Sequence, residues 1–148
     1  MEIRYTQASD IADLKDILDQ TSLFPSAKLE GMLTSFLDGD TEDLWLTCEN
    51  GGKAIGFCHA APNEMVDGAW CMPAIAILPK YQRKGVGRAL AEQMEAELAE
   101  QSAHAMQVDT SAGESFSGAR QFFENAGYTL EARTSASCNR MSYKKALA

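Results

Sequence analysis

At 148 residues and a formal net charge of −8, the chain is of one-domain size and can bury a substantial core. Its 13 Lys and Arg against 21 Asp and Glu argue against nonspecific nucleic-acid binding and suit a cationic partner such as an amine. No apolar run is long enough to span a membrane and the N-terminus lacks a signal-peptide layout, so a cytoplasmic location is expected.

Residues 2–6 read as a first strand. Ser9 or Asp10 can cap the helix that follows, whose Ile11, Leu14, Ile17 and Leu18 form one apolar face. Thr21 to Pro25 is a break, leaving Leu23 and Phe24 exposed unless something packs on them. Ser26 is then placed to cap a second helix with Leu29, Met32, Leu33, Phe36 and Leu37 on its stripe, and Gly39 ends it. Phe36, on a regular stripe, reads as core. Two apolar runs, 44–48 and 54–58, flank Asn50-Gly51-Gly52, a hairpin signal because these residues tolerate positive φ. A loop at 63–68 carries a second turn signal, Asp67-Gly68. Trp70 to Leu78 forms the next strand, and Pro79 stops it.

Val86, Leu90, Met94 and Leu98 recur every four residues, with Glu92, Glu95, Glu97 and Glu100 largely off the stripe, which predicts a helix over 86–100. Ala105 to Thr110 reads as a strand and Ser111 to Gly118 as a small-residue loop. A helix from Ala119 ends at Gly127, and Tyr128–Arg133 with Cys138–Tyr143 can close the chain as a hairpin. This order gives an α+β class. Cys48, Cys58, Cys71 and Cys138 make no C-x-x-C pair, and His59 and His104 stand apart, so metal-ligand spacing is missing. Buried free thiols in a reducing compartment are the reading for the cysteines inside apolar runs, and His59 reads as structural. His104 reads as lying near a helix end.

The strongest functional signal is Gln82-Arg83-Lys84-Gly85-Val86-Gly87, between the apolar Ile75, Ala76, Ile77, Leu78 run and the amphipathic segment. A helix start offers unpaired N–H groups and the positive end of the macrodipole, which suits a phosphate. Gly85 and Gly87 let a bulky anion approach the backbone, and Arg83, Lys84 and Arg88 add charge. The Walker loop is excluded because no Gly-Lys-Ser or Gly-Lys-Thr occurs, and the Rossmann fingerprint because position 90 is Leu.

What remains, Q-x-x-G-x-G, resembles the acyl-CoA pyrophosphate loop of the GNAT N-acetyltransferase superfamily. Ala119-Arg120-Gln121-Phe122-Phe123-Glu124-Asn125-Ala126-Gly127-Tyr128 is similar to that superfamily's closing helix, A-x-x-F-Y-E-K-x-G-F. Ile3-Arg4 with residues 10–14 is similar to its opening strand and helix. The resemblance implies a single N-acetyltransferase-like domain over 1–148: a mixed, mostly antiparallel sheet flanked by helices and splayed at the acyl-CoA site. It implies acetyl-CoA as cosubstrate and direct acetyl transfer to a primary amine of a small molecule or peptide. The pantetheine arm would lie beside Ile75, Ala76 and Ile77, with a freed N–H there as oxyanion donor. Gln82, Arg83, Lys84, Gly85, Val86, Gly87 and Arg88 would hold the pyrophosphate. The helices near the N-terminus would frame the acceptor.

For the base, Glu64 ranks first and Asp109 second, ahead of Asp67 and His59. The family's tyrosine acid falls at Phe123, which cannot donate a proton, and leaves Tyr128 as the candidate. A free thiol has a pKa near 8.5, so unassisted thiolate departure is tolerable. The Asn that many members place after the Asp109 strand is missing too. No metal and no nucleic acid is implied, and the oligomeric state is open, a homodimer included. The runner-up reading is a non-catalytic acyl-CoA-binding or regulatory domain, and a third is a structural partner domain whose basic turn meets some other phosphate.

Overall fold

The computed structural model describes residues 1–111, 117–133 and 140–147. Seven strands form one sheet in the order β1-β2-β3-β4-β5-β7-β6. They are β1 Glu2–Tyr5, β2 Leu44–Asn50, β3 Lys53–Pro62, β4 Ala69–Ile77, β5 Ala105–Ser111, β6 Thr129–Arg133 and β7 Arg140–Ala146. The helices are α1 Ile11–Thr21, α2 Leu29–Leu37, α3 Val86–Glu100 and α4 Ser117–Asn125. All strand pairs are antiparallel except β4 with β5, so the sheet is mixed and mostly antiparallel, as the resemblance implies. Among the described residues no helix is long and apolar enough to cross a membrane.

The expected hairpin forms, but its two central residues are Gly51 and Gly52, at φ 62° and 83°, while Asn50 pairs with Lys53. Ser26 opens a short 3-10 turn after Pro25, and no side chain caps that turn or α2, which corrects the expected serine cap. The last strand runs on to Ala146, because Lys144 and Lys145 hold places in the ladder beyond the apolar run that ends at Tyr143. Cys48 and Cys58 are buried free thiols and Cys71 is half-buried; Cys138 lies outside the described residues. Leu23 is exposed, whereas Phe24 and Phe36 pack on the core.

Helix α3 follows its stripe, with Val86, Leu90, Met94 and Leu98 all buried against the sheet. The Cys58 thiol points at the Leu90 carbonyl, and a side chain at Gly56 would strike Ile77 and Leu90. Positions 56 and 58 of β3 therefore face α3. Positions 57, 59 and 61 face the other side, which α1 covers.

Two buried polar anchors tie distant segments together. Asp10, 4% exposed, accepts both Arg4 guanidinium nitrogens (2.7 and 2.9 Å) and the Gln7 N–H (2.8 Å). Glu95, on the polar side of the α3 stripe, is 9% exposed and accepts the Tyr128 hydroxyl at 2.9 Å and the Lys145 ammonium at 2.8 Å. Lys145 also donates to the Ala126 carbonyl at 2.9 Å, so α3, the end of α4 and β7 meet at one carboxylate.

Burial alone would raise the Asp10 carboxyl, but the Arg4 guanidinium and the Gln7 N–H override it and hold it below the usual carboxylate range. A depressed folded-state pKa stabilises the protein above the unfolded carboxyl value, about 3.9, and that stability is lost as pH falls through the folded value. Asp10→Asn is therefore expected to cost about 1.5–3 kcal/mol at pH 7, the range for a bond to a charged group. Urea unfolding at pH 7 and pH 3 checks this: the gap between variant and parent should narrow at the lower pH.

Candidate active site

The opening in the sheet begins at one place in β4. His59 registers with Ala74 and Ala61 with Cys71, so two steps along β3 answer three along β4, and the extra residue lies at Met72–Pro73. Pro73 has no N–H for a ladder and is exposed, which suits it to a bulge. The parallel pairing of β4 with β5 covers only Ala69–Cys71 against Ala105–Gln107. Beyond it, β4 runs on beside β3 and β5 beside β7, and the two part.

The Leu78 N–H bonds the Ile55 carbonyl at 2.8 Å. By antiparallel alternation, Phe57–Ala76 and His59–Ala74 are then the mutually bonded pairs. The backbone groups of Ile75 and Ile77 consequently point to the edge that β5 has left. The Ile77 carbonyl accepts the Gln82 side-chain amide at 2.9 Å, which leaves the Ile75 N–H and C=O and the Ile77 N–H along that edge.

The basic turn follows directly. Pro79–Tyr81 forms a 3-10 turn, Arg83 adopts φ 62° and Gly85 φ 84°, and α3 starts at Val86 with no side chain capping it. A Cβ at Gly85 would meet nothing within 4 Å, so the helix mouth is open there. Gly87 has a second task, since a Cβ there would come within 3.1 Å of Phe122 on α4. Lys80 and Lys84 lie over the Tyr81 ring at 5.3 and 5.9 Å, and Arg88 pairs with Glu92 at 3.0 Å. Uncapped N–H groups, an open mouth and this basic side-chain set fit a polyanionic phosphate group.

On the α1 face, Cys71, Gln107 and Asp109 follow one another along the point of parting. Asp109 is exposed and accepts the Ser142 hydroxyl at 2.5 Å, and Gln107 accepts the Asn63 amide at 3.4 Å. Glu64 is exposed too, but in the loop beside Ala69, where β4 and β5 are still paired. Glu64 and Asp109 are therefore at different ends of the β4–β5 contact.

Tyr128 lies elsewhere. It is 2% exposed and edge-on to Phe123, with its hydroxyl committed to Glu95. Burial, with Glu95 beside it, pushes the phenol far above its ordinary value. Phe123 is buried as well, so neither ring offers a proton at the opening.

His59, structural by its place in an apolar run, lies beside the bulge and bonds Asp43, and no local sequence signal marks either. The bulge was foreshadowed only by Pro73 inside a strand.

The family model described as the acetyltransferase (GNAT) domain matches residues 40–130. Among solved structures, a GNAT-family protein from Desulfovibrio desulfuricans superposes with a TM-score of 0.89 at 18% identity, covering 99% of both chains. The PaiA N-acetyltransferase of Thermoplasma acidophilum, solved with coenzyme A, gives 0.81 at 15% identity, over 98% of each chain. The ribosomal-protein-S18-alanine N-acetyltransferase of Escherichia coli gives 0.75 at 19% identity, covering 99% of this chain and 94% of that one. No curated protein sequence matches.

Gly85 offers a clean test of the anion-holding turn, because Asn and Asp both tolerate a left-handed residue. Gly85→Asn and Gly85→Asp should unfold at similar temperatures, each costing up to about 1–2 kcal/mol. Coenzyme A should still raise the melting temperature of the Asn variant by mass action, and the Asp variant should lose most of that rise. Equal shifts in both would show that the anion sits elsewhere.

Proposed function

Since the chain belongs to the GNAT acetyltransferase family, whose cosubstrate is acetyl-CoA, we infer that it transfers acetyl from acetyl-CoA directly to a primary amine. The observation that carries this reading is the free β4 edge leading straight into an uncapped, basic helix start. Donor binding and carbonyl activation would then be continuous along one strand.

In this reading the turn from Gln82 to Arg88 holds the pyrophosphate. The edge beside Ile75, Ala76 and Ile77 receives the pantetheine amides, and an N–H of that edge stabilises the oxyanion. Asp109 meets the acceptor ammonium. Its position past the last β4–β5 pair, on the α1 face, supports it over Glu64. The acceptor enters from that face, beside the exposed Leu23 and the half-buried Phe24 of the α1–α2 connection. A small molecule or a peptide N-terminus would each fit so open an approach, and the acidic net charge favours either as a cation. The thiolate leaves without Tyr128, with solvent as its proton source. Activity in the cytoplasm as a single domain, as monomer or homodimer, completes the proposal.

A second reading, acyl-CoA binding without turnover, is favoured by two observations: Phe123 stands where the family acid would, and the Tyr128 hydroxyl is committed to Glu95. Thiol release from acetyl-CoA across a panel of small amines and short peptides separates the two. Turnover is expected, and a melting shift without thiol release from any acceptor would establish the second reading. With an accepted amine, Asp109→Asn should raise the KM for that amine about tenfold or more, the loss of about 1.4 kcal/mol of charge pairing, while Glu64→Gln leaves it unchanged. The reverse pattern would move the acceptor to the paired end of β4 and β5.

A further inference from the structure

Beside the bulge, on the α1 face, lies a side-chain pair that the proposed reaction has not used. His59 sits opposite Ala74, the first registered residue of β4 after its break. Its Nε2 is 2.9 Å from the Asp43 carboxylate, just ahead of β2. A carboxylate only accepts, so Nε2 carries the hydrogen and Nδ1 keeps its lone pair. The ring lies flat on Trp45, centroids 4.2 Å apart and planes 11° from parallel. Its orientation is thus held from the carboxylate edge and from one face.

Two polar atoms in this stack are buried and have no hydrogen-bond partner: His59 Nδ1 and Trp45 Nε1. One is an acceptor and the other a donor, on neighbouring rings. Buried polar groups nearly always find partners. Together they have the complement of one water, which both donates and accepts.

We propose that Asp43 and His59 form the proton-accepting dyad of this site, with His59 Nδ1 taking the acceptor amine's proton through one water held by the Trp45 N–H. The inference rests on the acetyl-transfer reading. The ammonium gives a proton to that water as the water passes one to Nδ1, and the imidazolium formed is paired with Asp43. The neutral amine then attacks the thioester carbonyl, so the N–C bond forms and the C–S bond breaks. The second amine proton is lost to solvent, solvent protonates the departing thiolate, and the imidazolium returns its own proton to solvent between turnovers. Asp43, 28% exposed at its side chain, borders that solvent.

The ring's protonation suits the task. Burial lowers its pKa from the ordinary histidine value and outweighs the Asp43 bond, which raises it, so the ring is unprotonated at pH 7 and ready to accept. Among the described residues, Asp43 is the charged group that acts on it; Trp45 of β2 and Ala74 of β4 are its uncharged neighbours.

The experiment measures kcat against pH for the parent, His59→Gln and Asp43→Asn with an amine the parent accepts, and the acetyl-CoA melting shift of each. His59→Gln should keep the melting shift and lose about 10²-fold or more in kcat, with the acidic limb of the profile gone. Asp43→Asn, a partly exposed change that keeps the fold should the histidine variant lose it, should lower kcat by about tenfold or more and move the acidic limb to lower pH. A merely structural pair would lower the melting temperature and leave that limb in place. An unchanged profile in Asp43→Asn or in folded His59→Gln overturns the dyad and leaves acetyl transfer standing. A parent that releases thiol with no amine overturns both.

Discussion

Between Cys71 and Ala74, β4 carries one residue more than the stretch of β3 it faces, and Pro73 there has no N–H to offer a neighbour. A parallel partner needs evenly spaced backbone groups, and β5 loses them at this point. The pairing stops after Cys71–Gln107, and β5 continues along β7 alone. From this one irregularity come the free backbone edge of Ile75 and Ile77, the exposure of Asp109, and the place of His59 at the beginning of the opening.

A sheet that parts in its middle needs each half held separately. On one side, β3 and β4 are clamped between α1 and α3, with Ile77 and Leu90 filling the space that Gly56 leaves. On the other, β5, β6 and β7 are tied to α3 and the end of α4 through Glu95, Tyr128 and Lys145. A buried carboxylate is costly unless it is well bonded, and these partners span three elements, so the network registers them relative to one another. Gly87 works to the same end, since its missing side chain admits Phe122 and lets α4 approach the start of α3.

The electrostatics divide along the same line. The chain is acidic overall, yet Lys80, Arg83, Lys84 and Arg88 gather at the mouth of α3. The opposite face of the opening carries Asp109 and the Asp43–His59 pair. Fields of opposite sign thereby meet the two sides of one gap.

The periodicity of residues 86–98 determined α3, and the glycines at 51, 52, 85 and 127 determined where the chain turns, because these are local matters of sterics and burial. The Gln82–Arg88 turn was legible for the same reason: its chemistry lies in consecutive residues. Partners far apart along the chain were not. Nothing in the sequence marks Asp43 as the neighbour of His59, 16 positions on, or Glu95 as the partner of Tyr128, 33 on. Packing buries Tyr128 and strand register sets Glu64 in the loop at the paired end of β4, placements that residue type and motif position do not carry. Which polar side chain faces an opening is settled by the register of several strands at once, and one extra residue in β4 resets it for everything beyond.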